Sequence, residues 1–240
     1  MNFRIANMRI TLKDYVLTVN GKAIERSVRK AYELKSVLYS KGWLSKHNDT
    51  PLYYMYRNAA PFKPLSKNGI RYDITVIRSL MLGSEFNKTL GHYHQIAERR
   101  LTYPELYEVL DGNALYLLQK TLHDKTEVIL INTRKGEKVI IPPNYGHITI
   151  NPGRKDLVMA NLVSDRFESD YKPMIKMRGG AVYVLRGNTI VANKSYGDID
   201  LKIRYRPGEY TFESKGSILD SFLSDPKKFD FLNKPSLLLH

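Results

Sequence analysis

The sequence predicts a mainly β protein built as an antiparallel sandwich or barrel. Short β-branched and apolar runs recur at regular spacing through the middle of the chain, separated by Gly, Asn, Asp and Pro. Asn20-Gly21 is a dipeptide typical of tight hairpin turns, and Asp111-Gly112 predicts a turn between two strands. No helical pattern alternates with these runs, as a parallel α/β sheet would require. The expected architecture is therefore antiparallel, with an N-terminal helix and a C-terminal extension.

Before the central strands, the chain predicts a hairpin followed by a helix. The runs RITL and YVLTV are β-prone, and Asn20-Gly21 follows them. The stretch Glu25–Ser40 has apolar residues at helical spacing and ends close to Gly42. We expect an amphipathic helix that buries this face. The apolar residues are Val28, Ala31, Tyr32, Leu34, Val37 and Leu38.

The centre of the chain predicts a succession of strands. They are Pro51–Asn58, Arg71–Leu82, Tyr107–Val109, Ala114–Gln119, Glu127–Asn132, Lys138–Ile141, His147–Asn151 and Leu157–Val163. Gly179–Leu185 and Asn188–Ala192 predict a later hairpin, and a short helix is expected between Ser217 and Pro226. We therefore divide the chain into a main domain, residues 1–185, and an extension, residues 186–240, docked on it.

Composition excludes several kinds of site. The chain has 240 residues, 42% of them hydrophobic and 26% charged, which is typical of a globular domain able to bury a core. It contains no cysteine, which excludes disulfides, thiolate metal ligands and cysteine nucleophiles. No apolar run is long enough to span a bilayer, and the N-terminus lacks the apolar segment of a signal peptide. A cytoplasmic location without a membrane partner is expected.

The chain is strongly basic, with a net charge of +14 and a pI near 9.7. Nucleic-acid-binding proteins concentrate such charge on one face or stripe, whereas these basic residues are scattered along the whole chain. Nucleic acid is therefore a disfavoured partner. The charge also suits an enzyme that attracts a phosphorylated substrate.

Histidine is concentrated in one part of the sequence, since four of the six histidines lie between His92 and His147. His92 and His94 are two residues apart, so on a strand their imidazoles lie on one face. Glu105 and His147 can approach from neighbouring strands. Three imidazoles and a carboxylate suit a divalent transition metal, and we predict a metal site here. The other histidines are interpreted as surface or satisfied polar residues: His47, His123 and His240.

Several short motifs surround these residues. They are TLGHYH at 89–94, Glu105-Leu106-Tyr107, the Asp111-Gly112 turn, LYLLQ, IPPNYGHITIN and SDY at 169–171. Together they resemble the pattern of cupins, and more specifically of the cupin-type glucose-6-phosphate isomerases known from archaea. The resemblance extends over residues 20–185 and leaves the C-terminal extension outside.

The resemblance implies a cupin barrel, one divalent metal ion and roles for individual residues. The implied metal is Fe, Mn, Ni or Zn, which imidazole and carboxylate ligands do not separate. The positions that match metal ligands are His92, His94, Glu105 and His147. Those that match substrate-binding residues are Thr75, Thr89, Gly91 and Tyr171. Glu105 and Tyr107 match positions at the reacting part of the substrate, and we expect them to be catalytic.

The chain also departs from the family pattern. Extra residues separate His94 from Glu105, so Glu98 and Glu108 are also near in sequence. Glu105 is preferred because its E-x-Y context and its distance from the hairpin turn match the family, and Glu108 is one residue out of phase on a strand. Elsewhere, Val163 and Ser169 occupy positions where the family tends to have a tyrosine and a histidine.

The implied activity is the interconversion of glucose 6-phosphate and fructose 6-phosphate in glycolysis and gluconeogenesis. The hydrogen transfer between C1 and C2 is expected to follow either an enediol or a hydride-shift route. One alternative is another metal-dependent cupin phosphosugar isomerase, epimerase or oxygenase. Another is a cupin that binds a sugar phosphate without catalysis. A phosphorylated hexose and a second copy of the chain, in a homodimer, are the expected partners.

Overall fold

The computed structural model describes residues 1–238. His240, interpreted from the sequence as a surface residue, lies outside the described residues. No helix within residues 1–238 has the length and apolar character needed to cross a bilayer.

Most of the regular structure is β. The strands in chain order are Asn2–Ile5 (β1), Met8–Lys13 (β2), Val16–Val19 (β3), Lys22–Ala23 (β4), Ser27–Lys30 (β5), Pro51–Tyr56 (β6), Ile70–Ile77 (β7), Met81–Leu82 (β8), Glu85–Phe86 (β9), Tyr93–His94 (β10), Ile96–Glu98 (β11), Leu101–Thr102 (β12), Glu105–Asp111 (β13), Asn113–Leu122 (β14), Lys125–Arg134 (β15), Lys138–Ile141 (β16), Gly146–Ile150 (β17), Leu157–Ser164 (β18), Ser169–Asp170 (β19), Val182–Leu185 (β20), Thr189–Ala192 (β21) and Asp198–Arg204 (β22).

The helices are short. The α-helices are Leu44–His47 (α1), Lys63–Lys67 (α2), Lys172–Lys176 (α3) and Ile218–Ser224 (α4). Turns of 3₁₀-helix cover Ala31–Leu34, Lys41–Trp43, Arg186–Asn188, Gly208–Tyr210, Pro226–Leu232 and Pro235–Leu238.

Two sheets form the body of the molecule. One has six strands in the order β16-β13-β18-β7-β6-β5, and the other has four in the order β17-β14-β15-β22. Neighbouring strands run antiparallel, except for the parallel pair β15 and β22. The mainly β, antiparallel fold predicted from the sequence is confirmed.

The space between the two sheets is filled by the alternate residues of each strand that point inward. Tyr107 and Val109 of β13 join one buried cluster with Tyr116 and Leu118 of β14. Glu108, which lies between Tyr107 and Val109 in β13, points to the other face of the sheet, as the two-residue period of a strand requires. Because the inner face also carries Glu105, the candidate site lies inside the protein.

The outer face of the six-stranded sheet has a core of its own. The two ends of the chain cover it: strands β1–β4 supply Ile10 and Leu17, and the C-terminal segment supplies Phe222 and Phe229. All four side chains are buried. The C-terminal segment therefore completes an apolar layer against the sheet.

The predicted N-terminal helix at Glu25–Ser40 is wrong. Ser27–Lys30 is instead β5, which pairs with β6 at the edge of the sheet, and a 3₁₀ turn follows. Pairing with a distant strand overrides the local helical pattern. The pattern nevertheless identified buried residues, because Ala31, Leu34, Val37 and Leu38 are all buried.

Other local predictions are confirmed. Asn20-Gly21 forms the turn between β3 and β4, and Asp111-Gly112 separates β13 from β14. The predicted C-terminal helix is α4: Ser217 caps it, and the side chain of Asp220 reaches back to the Ser217 backbone N–H. Pro226 begins the 3₁₀ turn that follows.

Candidate metal centre and active site

Three strands bring the histidines together. His94 lies in β10, which pairs with β19, and His92 precedes it. The backbones of His92 and His147 exchange hydrogen bonds, with N···O distances of 3.2 and 3.0 Å. The two-residue spacing and this bridge place the imidazoles of His92 and His94 beside that of His147.

Glu105 enters the same cluster from β13, at the start of its inward-facing row. Its Oε2 atom lies 3.3 Å from His94 Nε2 and 3.4 Å from His147 Nε2. His92 Nε2 is 3.1 Å from His94 Nε2. One ligand atom from each of these residues lies within 4.8 Å of every other. The four side chains predicted to form the metal site thus converge on one point.

The arrangement fits a metal ion. Two atoms bound to one metal at about 2.1 Å stand about 3.0 Å apart at a right angle and about 3.4 Å apart at the tetrahedral angle. Three of the separations in this cluster, 3.1, 3.3 and 3.4 Å, lie in that range. Glu105 Oε2 is buried without a hydrogen-bond partner among the described residues. A cation at the centre of the cluster would satisfy it.

Neighbouring groups hold the ligands in place. Asn161, on β18 beside Glu105, donates from Nδ2 to Glu105 Oε1 at 2.7 Å and leaves Oε2 free. The backbone carbonyl of Tyr103 lies 2.6 Å from His94 Nδ1, which directs Nε2 of that ring into the cluster. Such partners orient metal-binding side chains.

Burial favours the neutral form of His92 and His147, which is the form that binds a metal. It lowers the pKa of His92 well below its ordinary value, and the neighbouring imidazoles add to the effect. Burial likewise lowers the pKa of His147 to about 4. For Glu105 burial acts in the opposite direction, but the interactions with His94, His147 and Arg71 together outweigh it and hold the pKa of the carboxyl below its usual range.

Tyr107 lies beside the cluster. Its hydroxyl is 3.3 Å from His147 Nε2. Burial and the carboxylate of Glu105 raise the pKa of Tyr107 well above that of an ordinary tyrosine. The phenol therefore stays protonated and can donate a hydrogen bond.

Gly91 allows the segment that leads into His92 to approach β17 closely. Its φ is +83°, and a Cβ built on it would lie 2.5 Å from Ile148 Cγ1. A side chain at this position would meet both backbone strain and a clash. The glycine is therefore required for the bridge between His92 and His147.

A cavity of about 40 Å³ lies against the cluster. It is lined by Thr75, Thr89, Gly91 and Tyr171, the residues predicted to bind substrate, together with His92, Glu105, Tyr107 and His147. The structure thus gathers residues from five different strands and loops at one place. The volume holds one or two water molecules rather than a sugar phosphate.

Sequence reasoning missed a charged cluster at this cavity. Arg57 lines it and forms an ion pair with Asp73, which also accepts from Arg71 Nε at 2.9 Å. Asp73 is 1% exposed and carries one charge against two guanidinium groups. Asp73 lies two residues before Thr75 and thus on the same face of β7, which is the signal that could have revealed it.

The other glutamates considered from the sequence lie elsewhere. Glu98 accepts hydrogen bonds from the backbone N–H and hydroxyl of Ser236. Glu108 accepts from the backbone N–H of Ile218 on the outer face of the sheet. The choice of Glu105 agrees with this geometry.

The two positions that depart from the family pattern differ in their surroundings. Ser169 lines the cavity beside Tyr171. Val163 is fully buried and pairs across the strands with Glu105 and Arg71. The cavity wall at Ser169 is therefore lined by a hydroxyl.

A larger cavity, of about 820 Å³, opens between the turn at Gly136 and the C-terminal segment. Lys138, Arg206 and Lys228 line it, and none of its described lining residues is a histidine. The smaller cavity is the better candidate active site, because titratable groups of matched geometry converge there.

Comparison with models of protein families identifies the family of this chain. The family model described as glucose-6-phosphate isomerase (GPI) matches residues 28–200. The chain belongs to this family. The isomerase resemblance predicted from the sequence is thereby confirmed.

Curated glucose-6-phosphate isomerases match at modest identity. The enzyme of Thermococcus litoralis is 28% identical over 150 residues, which cover 61% of this chain and 74% of the relative. That of Pyrococcus abyssi is 27% identical over 167 residues, covering 68% and 82%. A bacterial relative, from Sinorhizobium medicae, is 27% identical and covers 58% and 60%.

Solved structures align with about half of the chain. An oxalate oxidase aligns with a TM-score of 0.36 and 18% identity, covering 49% of this chain and 51% of that one. The oxalate decarboxylase of Lactobacillus farciminis, in a formate complex, aligns with a TM-score of 0.36 and 16% identity, covering 49% and 30%.

Proposed function

We propose that this protein is a metal-dependent isomerase that interconverts glucose 6-phosphate and fructose 6-phosphate. The convergence of three imidazoles and a carboxylate on one cavity, in a member of this family, carries the proposal. In the cell we expect the enzyme to act as a cytoplasmic homodimer in glycolysis and gluconeogenesis.

His92, His94, Glu105 and His147 would hold one divalent metal ion, Fe, Mn, Ni or Zn. When bound, such an ion polarises the sugar carbonyl and stabilises negative charge on its oxygen. The protein contributes the neutral imidazoles and a carboxylate held by Asn161.

Binding of the substrate would use the other cavity residues. Within residues 1–238 the hydroxyl of Thr75 makes no hydrogen bond, and Thr89 Oγ1 accepts from the Thr149 N–H at 3.0 Å but keeps its own proton to donate. Together with Gly91 and Tyr171 they suit the phosphate and hydroxyl groups of the sugar. Arg57 adds a positive charge at the same wall, and the basic surface attracts a dianion.

Entry of the substrate requires the cavity to open. At about 40 Å³ it is far smaller than a hexose phosphate. We expect the wall formed by Phe167, Ser169 and Tyr171 to move, because β19 is only two residues long. Loops that cover substrates commonly move in this way.

The surroundings of Glu105 favour a hydride shift over an enediol route. Its Oε1 accepts from Asn161, and its Oε2 faces the imidazoles, where it would bind the metal ion, so with the ion bound neither oxygen would be available as a base. In the hydride route the C2 hydrogen moves to C1 with its electron pair, while the proton of the C2 hydroxyl passes to the oxygen on C1. We propose that the hydroxyl of Tyr107, which lies 3.3 Å from His147 Nε2 and stays protonated, relays that proton.

Formation of fructose 6-phosphate from glucose 6-phosphate in a coupled assay tests the activity. We expect turnover that chelation removes and an added divalent metal restores. His92→Ala should lose both bound metal and turnover, whereas His123→Ala, which alters an exposed histidine outside the site, should keep them. Binding of metal and sugar phosphate without turnover on hexose phosphates would instead indicate a non-catalytic binding protein.

Running the reaction in deuterated water distinguishes the two routes. A hydride shift carries the hydrogen from C2 to C1 without exchange, so the product should contain no carbon-bound deuterium. Deuterium at C1 of fructose 6-phosphate would require a solvent-exchanging base and would exclude the hydride route.

A further inference from the structure

Strand β22 is the end strand of its sheet. It pairs with β15 on one side, and within residues 1–238 no strand pairs with its other side. An end strand presents backbone N–H and C=O groups that can pair with a strand from another molecule. The sequence of β22 determines which strand fits.

The sequence of β22, DIDLKIR, is self-complementary about its central residue, Leu201. Two aspartates precede Leu201 and two basic residues follow it at the same distances. An isoleucine lies two residues away on each side. Each acidic residue is thus matched by a basic one, and each apolar residue by an apolar one.

We propose that β22 pairs in antiparallel fashion with β22 of a second copy of this chain, around a twofold axis at Leu201. In this register Leu201 faces its own counterpart, and Ile199 faces Ile203. Asp198 faces Arg204, and Asp200 faces Lys202. The contact is isologous, so every charge pair occurs twice. Four strands from each copy then form one continuous sheet across the dimer.

The apolar face of β22 is incompletely covered in the single chain. Leu201 is 37% exposed and Ile203 is 42% exposed, whereas their neighbours on β15, Val128 and Leu130, are buried. Partners in an antiparallel pair point to the same face. Pairing would therefore bring the isoleucines and leucines of both copies together and cover this surface.

The residues that flank the strand extend the match. Tyr205 is 81% exposed, the most exposed of the large apolar residues. In the same register it faces Gly197, which has no side chain to obstruct the ring. Aromatic residues stabilise cross-strand glycines in this way.

Charged residues at a sheet edge often prevent strand pairing. Here Lys202 already contacts Glu127, and Arg204 contacts Glu209. Self-pairing nevertheless places an aspartate opposite each basic residue, so the charges favour this register over shifted ones. Asp198 forms no ion pair among the described residues and gives the cleanest probe of the contact.

The proposed surface lies at the end of the family region. The matched range stops at residue 200, and β22 continues to Arg204. The proposal therefore concerns the C-terminal extension and does not depend on the proposed isomerase activity.

Disulfide trapping tests the twofold register. The chain contains no cysteine, so Leu201→Cys introduces a single thiol at the axis. Facing residues in an antiparallel pair have Cα atoms about 4.5–5.5 Å apart, a distance that a disulfide spans. We expect mild oxidation to link most of the Leu201→Cys protein into dimers. Leu122→Cys, at a leucine that is 59% exposed on another strand, should remain unlinked.

Charge reversal tests the pairing itself, by sedimentation or light scattering. Asp198→Lys places like charges together twice per dimer and should weaken dimerisation about tenfold or more. The double variant Asp198→Lys/Arg204→Asp restores complementarity and should recover most of the loss. A monomer at all concentrations, or a dimer that neither Leu201→Cys links nor Asp198→Lys weakens, would overturn the proposal.

Discussion

At the scale of single residues, the candidate metal centre depends on groups that hold its ligands as much as on the ligands. Asn161 is buried and fixes one oxygen of Glu105. It is the one polar residue within the apolar run LVMANLV of β18, and that contrast could have indicated it from the sequence. The histidines were found because their two-residue spacing is a local signal. Arg57 was missed because its ion pair with Asp73 joins two separate segments of the chain.

Asn161→Ala should weaken metal binding without changing the ligands. Loss of the amide leaves Glu105 Oε1 without its donor and lets the carboxylate rotate. We expect metal affinity to fall by about 10- to 100-fold, with activity recovering at saturating metal. Competition with a chelating dye measures the affinity. Thr133→Val removes a buried hydroxyl that has no hydrogen-bond partner in the described part of the chain, and it serves as the control. An unchanged affinity in Asn161→Ala would contradict the orienting role.

At the scale of elements, turns and strand alternation determine which side chains face the site. Period 2 in β13 directs Glu105 and Tyr107 inward and Glu108 outward, as the sequence predicted. The sequence did not predict the conformation of Glu25–Ser40, because strand pairing with β6 decides it.

Gly91→Ala should disrupt the approach of His92 to His147. Gly91 and Gly136 share a φ of +83°, but only at Gly91 would a Cβ clash with a neighbour. Gly136→Ala should therefore cost about 1 kcal/mol of unfolding free energy from backbone strain alone. Gly91→Ala should cost about 2–4 kcal/mol and also reduce bound metal. Chemical denaturation and metal analysis measure both. Equal losses of stability in the two variants would contradict the clash.

Glu108 joins the six-stranded sheet to α4 and should make stability depend on pH. Its pKa is raised, mainly by burial. The ionised carboxylate therefore costs stability above its folded-state pKa, and this cost disappears as the pH falls through that value. Glu108→Gln keeps an acceptor for the Ile218 N–H and should be at least as stable as the unaltered protein at neutral pH, with the advantage lost in acid.

The companion variant Glu108→Ala removes the acceptor and should cost about 1–2 kcal/mol. Urea unfolding of both variants at neutral and acidic pH provides the measurement. The quantity to compare is the stability of Glu108→Gln minus that of the unaltered protein at each pH. A lower value at neutral pH than in acid would show that the charge on Glu108 stabilises the fold.

At the scale of the whole molecule, the two chain ends share one apolar layer on the outer face of the six-stranded sheet. The C-terminal segment reaches this layer through Phe222, Phe229 and Leu232, which are buried. The division of the chain at residue 185 stays a prediction. Contacts of this layer nevertheless tie the extension to the sheet that holds Glu105.

Phe222→Ala should destabilise the whole protein. The side chain is fully buried, and its truncation leaves a cavity that costs about 3–5 kcal/mol. Leu237→Ala, at a residue of the same segment that is 52% exposed, should change stability by less than about 0.5 kcal/mol. Thermal unfolding with the activity assay measures whether loss of the layer also affects the site. A small effect of Phe222→Ala would mean that the C-terminal segment is not part of the cooperative fold.

The sequence alone determined the β class, the hairpin turns, the cap of α4 and the metal-binding residue types. These follow from period, turn chemistry and spacing, which act over a few residues. Only the tertiary structure decided that residues 27–30 form a strand, that Asn161 holds Glu105, and that β22 lies parallel to β15. Each of these depends on contact between residues far apart in the chain. The local sequence pattern does not identify the distant segment that a residue or strand will contact, because burial and pairing energies arise only when distant strands meet.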